Sequence, residues 1–117
     1  MKLVFVVAAV LALSIPSAMQ QVYEPGNGVT MPTIVKEIKP QYTPAAKDKK
    51  IQGSVLLRGV VLENGHVGDA VEVLRSLDAD LDKQAVAAFK QWEFKPGTRE
   101  GKPVPVRISV ELTFTLR

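Results

Sequence analysis

The chain has 117 residues, 46% of them hydrophobic, 23% charged and 6% aromatic, which allows one small globular domain. It has no cysteine and one histidine, His66, which excludes a disulfide framework, a thiolate zinc site, an Fe–S cluster, a thiol nucleophile and a His-rich metal site. Composition therefore speaks against an enzyme, and the formal net charge of +3, spread over interspersed signs, describes solubility more than a partner.

The first element in chain order is an address. Met1-Lys2 precedes an uncharged run from Leu3 to Ile15, followed by Pro16, Ser17 and Ala18. A short positive start, an apolar stretch and a small-residue exit read as a secretory signal peptide over 1–18. A helix of that apolar run rises about 20 Å, short of a bilayer core of about 30 Å. Retention as an uncleaved weak anchor is the alternative, and membrane association is expected only then. Residues 19–35 carry Pro25, Gly26, Gly28 and Pro32 without an apolar period and read as a flexible arm, with Thr33-Ile34-Val35 as a short edge strand. The domain proper is expected over 36–117.

Residues 36–50 are locally basic, with Lys36, Lys39, Lys47, Lys49 and Lys50. No aromatic or Arg cluster accompanies them, so they read as a solvated face and not as a nucleic-acid or lipid patch. A short helix is expected from about Pro44 to Lys49, because proline suits a first helical turn. From Gly53 to Glu63, Val55, Leu57 and Val61 share one strand face. Asn64-Gly65 then signals a hairpin with a type I′ turn. The return strand is expected over His66–Ser76, with a bulge near Asp69-Ala70.

Leu81, Ala85, Ala88, Phe89 and Trp92 fall on one helical face, with Asp80 as the expected N-cap and Pro96-Gly97 as the stop. Glu100-Gly101 marks a further turn. The last segment is the clearest in the chain. Val104, Val106, Ile108, Val110, Leu112, Phe114 and Leu116 alternate with polar partners, which specifies a long strand with one buried and one wet face. Pro105 near its start argues for an edge position.

Chain direction sets the topology. The hairpin reverses the chain and the helix returns it, so the last strand lies antiparallel to the first of the three main strands. The expected fold is α+β: a three-stranded antiparallel sheet of order 2-1-3 with two helices on one face. Both sheet edges stay open, and one of them is long.

Motifs that carry chemistry are mostly missing. Asp78, Asp80 and Asp82 resemble the start of a calcium loop, but Lys83 and Phe89 stand where that loop needs Gly and Glu. The run from Gly97 to Lys102 is one residue too short for a phosphate loop, and Pro103 follows where Ser or Thr is needed. His66 has no orienting carboxylate or nucleophile placed beside it, and Trp92 with Phe94 reads as core packing. What remains is the long edge. It either accepts a partner's strand or is covered by the N-terminal arm or by a second copy.

Several short pieces then line up. They are Pro40-Gln41-Tyr42 with Ala46-Lys47, Gln52-Gly53-Ser54-Val55, Asn64-Gly65-His66-Val67 and Val73-Leu74-Arg75-Ser76. Further on come Leu81-Asp82, Ala85-Val86, Trp92-Glu93-Phe94-Lys95-Pro96 and Gly101-Lys102-Pro103-Val104-Pro105-Val106. In order and spacing, from about Pro40 to Arg117, they resemble the TonB C-terminal domain family. Two departures stand out: Thr43 separates Tyr42 from Pro44, and Gly59 stands where a larger strand residue is usual.

The resemblance implies a periplasmic domain whose last strand takes up a segment of an outer-membrane TonB-dependent transporter, the TonB box. The match carries over the strand and not individual contacts; along that strand Val106, Arg107, Ile108, Ser109, Val110, Glu111, Leu112 and Thr113 are the expected partner-binding edge, with the polar side chains of Arg107, Ser109, Glu111 and Thr113 lining it. No cofactor, metal or nucleic acid is implied. The family's long Pro-rich spacer has no counterpart in residues 19–36, which reach at most about 60 Å extended. The expected role is therefore binding and not pulling. A structural or adaptor subunit, including a strand-paired homodimer, is the rival expectation.

Overall fold

The computed structural model of the chain describes residues 21–116. Residues 1–18, expected as a signal peptide, therefore lie outside the described residues. The elements are β1 (Thr33–Lys36), α1 (Pro44–Asp48), β2 (Gly53–Val61), β3 (Glu72–Arg75), α2 (Ala79–Phe89), β4 (Glu93–Lys95), β5 (Thr98–Arg99), β6 (Lys102–Pro103) and β7 (Val106–Phe114). The main sheet has the order β3-β2-β7 with antiparallel neighbours, which is the expected 2-1-3 arrangement. Two smaller sheets pair β1 with β4 and β5 with β6.

The period of two in the last strand sets the layers. Val106, Ile108, Leu112 and Phe114 of β7 and Val55, Leu57 and Val61 of β2 are buried on one face. Above them lie Leu81, Ala85, Ala88 and Phe89 of α2 and Ala46 of α1. Gly59 sits on the same face of β2. A Cβ there would come within 2.8 Å of the Phe89 ring, so the missing side chain is the space Phe89 fills.

The helices form where their caps allow. Thr43 caps α1, its Oγ1 accepting from the Ala46 N–H at 3.2 Å, and Pro44 follows in the first turn, where its missing N–H costs nothing. For α2 the cap is Asp78 and not the expected Asp80. Asp78 holds extended backbone and its carboxylate accepts from the N–H groups of Asp80 and Leu81 at 3.2 and 3.1 Å. Asp82 reaches back to the Leu77 N–H at 3.0 Å, so Asp78 binds orphan donors of the first turn while Asp82 ties down the residue before the cap. The helix ends at Phe89, earlier than the apolar period suggests. Trp92 lies beyond it, where its N–H closes a tight turn to the Phe89 carbonyl at 3.0 Å. Phe89, Trp92 and Phe94 still form an aromatic cluster, with Phe89 edge-on to both at 5.4 and 6.4 Å.

The hairpin loop differs from expectation. A type I′ turn needs positive φ at both central residues, yet only Gly65 has it (+88°). Leu62 donates to the His66 carbonyl and Gly65 to the Leu62 carbonyl, so the loop has three residues, Glu63, Asn64 and Gly65. The Asn64 carboxamide oxygen accepts from the His66 N–H at 3.0 Å and tightens it. A Cβ at Gly65 would overlap the Phe94 carbonyl oxygen, because the Phe94 N–H is bonded to the Gly65 carbonyl at 2.9 Å. Glycine is needed here for both conformation and approach.

The return strand is interrupted where the bulge was expected. Val67 pairs with Val61 but Glu72 pairs with Arg58, so two extra residues are taken up between Gly68 and Val71. Strand β4 has no counterpart in the sequence reading. Three residues cannot establish a period, and β4 forms because β1 lies beside it, with Ile34 opposite Phe94.

The segment read as a flexible arm is bonded to the domain over its described part. Tyr23 bridges to Val106, Val29 is buried, and Thr30 and Thr98 share hydrogen bonds. Turn residues signalled where the chain bends, but not that the straight pieces between the bends would find partners.

Candidate functional site

The site is built on the outer edge of β7. One side of this strand pairs with β2 along its whole length, from Val61 opposite Val106 to Gly53 opposite Phe114. The direction of the other groups follows from two bonds at the strand's start. The Arg107 N–H donates to the Tyr23 carbonyl at 2.9 Å, and the Pro105 carbonyl accepts from the Tyr23 N–H at 2.9 Å. Odd-numbered backbone groups therefore point away from β2. By the alternation of a strand, those of Ser109, Glu111 and Thr113 also face outward.

Strand geometry couples this to the side chains. Val106, Ile108 and Leu112 point into the core and bond to β2. Arg107, Ser109, Glu111 and Thr113 carry their side chains on the wet face and their backbone on the free edge. Val110 is half-buried. Of the eight residues expected at the edge, four thus hold the strand in place and four present its hydrogen-bonding groups. Arg107 is already engaged, through its N–H to Tyr23 and its guanidinium to Glu24 at 2.5 Å.

The wet face is ordered by pairs across strands. Arg75 of β3 and Glu111 of β7 meet at 2.6 Å over Leu56 of β2, which faces both backbones. Ser54 and Thr113 share a hydroxyl hydrogen bond at 3.0 Å. Arg58 grips Glu72 at 2.9 Å. These pairs are exposed and contribute little stability, but they fix where charge stands beside the edge.

Beyond the edge runs an open groove of about 440 Å³. Glu111 to Thr115 form one wall, Glu37, Lys39, Pro40 and Tyr42 the other, and Trp92 also lines it. The far wall is tied down at two points. The Trp92 Nε1–H donates to the Ile38 carbonyl at 2.8 Å, and the Tyr42 hydroxyl donates to the Ile51 carbonyl. Tyr42 also meets Phe114 edge-on at 5.4 Å. The sequence reading took Trp92 for core alone and named none of Glu37, Lys39 or Tyr42 as site residues. The signal was partly present in Pro40-Gln41-Tyr42, a non-helical stretch between two elements with an aromatic at its end.

The arrangement suits backbone pairing in an exposed slot. Among the described residues no group of three His, Asp or Glu side chains could hold a metal ion, and no helix is long and apolar enough to cross a membrane. His66 is exposed just after the hairpin loop, where its backbone bridges to Glu93.

Comparison with known proteins agrees with this geometry. The family model for the Gram-negative bacterial TonB protein C-terminal region matches residues 38–116. A Protein TonB from Xanthomonas campestris pv. campestris is 35% identical over 77 residues, which is 66% of this chain and 34% of that protein. A Protein TonB from Vibrio cholerae is 30% identical over 89 residues, 75% of this chain and 36% of that protein. The chain thus spans about a third of the length of these curated relatives. The solution NMR structure of the Pseudomonas aeruginosa TonB CTD superposes with a TM-score of 0.57 at 20% identity, covering 84% of this chain and 99% of that one.

Proposed function

As the chain belongs to the TonB C-terminal domain family, we propose that it is a periplasmic binding module that adds an extended segment of an outer-membrane TonB-dependent transporter to the free edge of β7. The observation that carries this reading is the row of outward backbone groups at Ser109, Glu111 and Thr113 beside the groove walled by Glu37–Tyr42. Backbone pairing supplies the affinity, and alternate side chains of the incoming segment, facing the groove or the charged wet face, supply the specificity. Residues 1–18 act in this reading as the export segment. The part of the relatives that this chain matches is their C-terminal region, so the proposed role is recognition within TonB-dependent transport.

Titration of the isotope-labelled chain with synthetic TonB-box peptides tests the proposal. Amide shifts are expected at Ser109–Thr115 and on the facing wall at Glu37–Tyr42, with none at β3. A chain that shows no shift along β7, or that forms a stable dimer by light scattering and ignores the peptides, overturns it in favour of a strand-paired or adaptor role.

A further inference from the structure

The free edge of β7 does not begin where the strand begins. Tyr23 lies alongside Val106 in parallel pairing, with its N–H on the Pro105 carbonyl and its carbonyl on the Arg107 N–H, both at 2.9 Å. A parallel ladder would continue with the N–H of residue 25 donating to the Arg107 carbonyl. Residue 25 is proline and has no N–H to donate. The chain turns away at once through Gly26, Asn27 and Gly28, all at positive φ, closed by two bonds between Gly26 and Val29 at 3.0 Å. Val29 is buried and pairs with Arg99, which anchors the far side of the turn.

Side chains hold the short pairing as well. Glu24 meets the Arg107 guanidinium, and the Arg99 guanidinium lies over the Tyr23 ring, 5.4 Å from its centroid. The segment is thus fixed on both sides of one bridge, and its own sequence prevents it from extending along β7.

Taking the strand-addition reading as its ground, we propose that Tyr23–Pro25 is an end stop that sets the register of the incoming segment. Pro105 and the Arg107 N–H are already satisfied, so the added strand starts with the Arg107 carbonyl or the Ser109 N–H and runs toward Thr115. Tyr23 and Glu24 are positioning residues here: they decide which stretch of a partner lies opposite Glu111. A partner segment of about seven residues spans Ser109 to Thr115, and residues beyond its Tyr23 end find no free backbone to pair with.

The test uses the full chain, isotope-labelled, with a TonB-box heptapeptide and versions lengthened at either end. In the unaltered chain all the peptides bind alike, slow exchange at the Ser109, Glu111 and Thr113 amides, and leave the Arg107 amide protected and the Tyr23 signals unmoved. Tyr23→Pro removes the N–H given to Pro105. The Arg107 amide then exchanges faster in the free chain, and one lengthened peptide binds about tenfold tighter than the heptapeptide, the worth of one or two net backbone hydrogen bonds. Glu24→Arg sets like charge against Arg107 without touching the backbone, and shifts the same two readouts in the same direction by less. Displacement of Tyr23 by a peptide in the unaltered chain, or equal binding of short and long peptides to both variants, overturns the end stop and leaves strand addition standing. Absence of protection anywhere from Ser109 to Thr113 overturns strand addition and the end stop with it.

Discussion

The two edges of the main sheet are treated in opposite ways. The β3 edge is short, with Glu72–Arg75 exposed throughout, and the two-residue insertion before it breaks its register with β2. Its Glu72 and Arg75 are charged and held in cross-strand ion pairs. Shortness, a bulge and charge are the devices by which proteins make an edge unattractive to another chain. The β7 edge has nine residues in unbroken register with β2, yet from Ser109 onward no chain segment covers it among the described residues. A fold that blunts one edge and leaves the longer one uncovered fits the proposed addition of a partner strand at β7. The open edge also rests on the core, through the buried half of β7.

That last point gives the largest expected effect. Phe89 fills the space over Gly59 and is fully buried, so Phe89→Ala should cost about 3–5 kcal/mol in denaturant unfolding. Val73→Ala on β3 should change stability by less than about 0.5 kcal/mol, since that side chain is 41% exposed. Comparable losses at both sites would break the contrast between an anchored edge strand and a loosely held one.

A proline pair sharpens it within β7 itself. Leu112 bonds to β2 and is buried, so Leu112→Pro should cost about 3 kcal/mol or more. The Glu111 N–H faces the open edge, where proline is tolerated, so Glu111→Pro should leave the chain folded but abolish peptide-induced shifts along β7. Circular dichroism gives the first readout and titration the second. If both variants unfold alike, the alternation of inward and outward backbone groups is wrong.

Gly65 tests the loop that feeds the blunted side. Gly65→Ala should destabilise the chain by about 2 kcal/mol, because a positive φ disfavours a side chain and the Phe94 carbonyl occupies the space. The loss should appear in unfolding without any change in peptide affinity at β7.

These sites also mark how far the sequence could be read. The buried and wet faces of β7, the order of the main sheet, α1, and the bulge near Asp69-Ala70 follow from local rules, because period, proline placement and chain direction all act within a few residues. Gly65 was legible as a turn, but not its three-residue loop or its contact with Phe94 about thirty residues away. Trp92 kept the helical period although the helix had ended at Phe89. Strand β4 and the Tyr23 bridge were not legible, since each is a short segment that becomes a strand only when a partner is beside it. For the site, the strand could be named from its alternation, while the groove's far wall at Glu37–Tyr42 depends on where a non-helical stretch comes to rest.

The smallest effect concerns the charged row over the sheet. Arg75 and Glu111 join the two edges at 2.6 Å across Leu56, but both side chains are more than half exposed. Exposed pairs of this kind contribute between about 0 and 1 kcal/mol, and salt weakens them. Glu111→Gln should therefore shift stability by less than about 0.5 kcal/mol, and the shift should fade in 1 M salt. The same change should be felt more at the edge, because Glu111 is the negative charge on the β7 side of the slot and Arg75 is left unpaired by it. A partner segment carrying an acidic side chain opposite position 111 should gain affinity by about twofold to fivefold in low salt, and one carrying a basic side chain should lose as much. Equal binding of both peptides to both chains would show that the charged row only decorates the sheet. A split in opposite directions would show that the blunted edge, through Arg75, helps select what the open edge accepts.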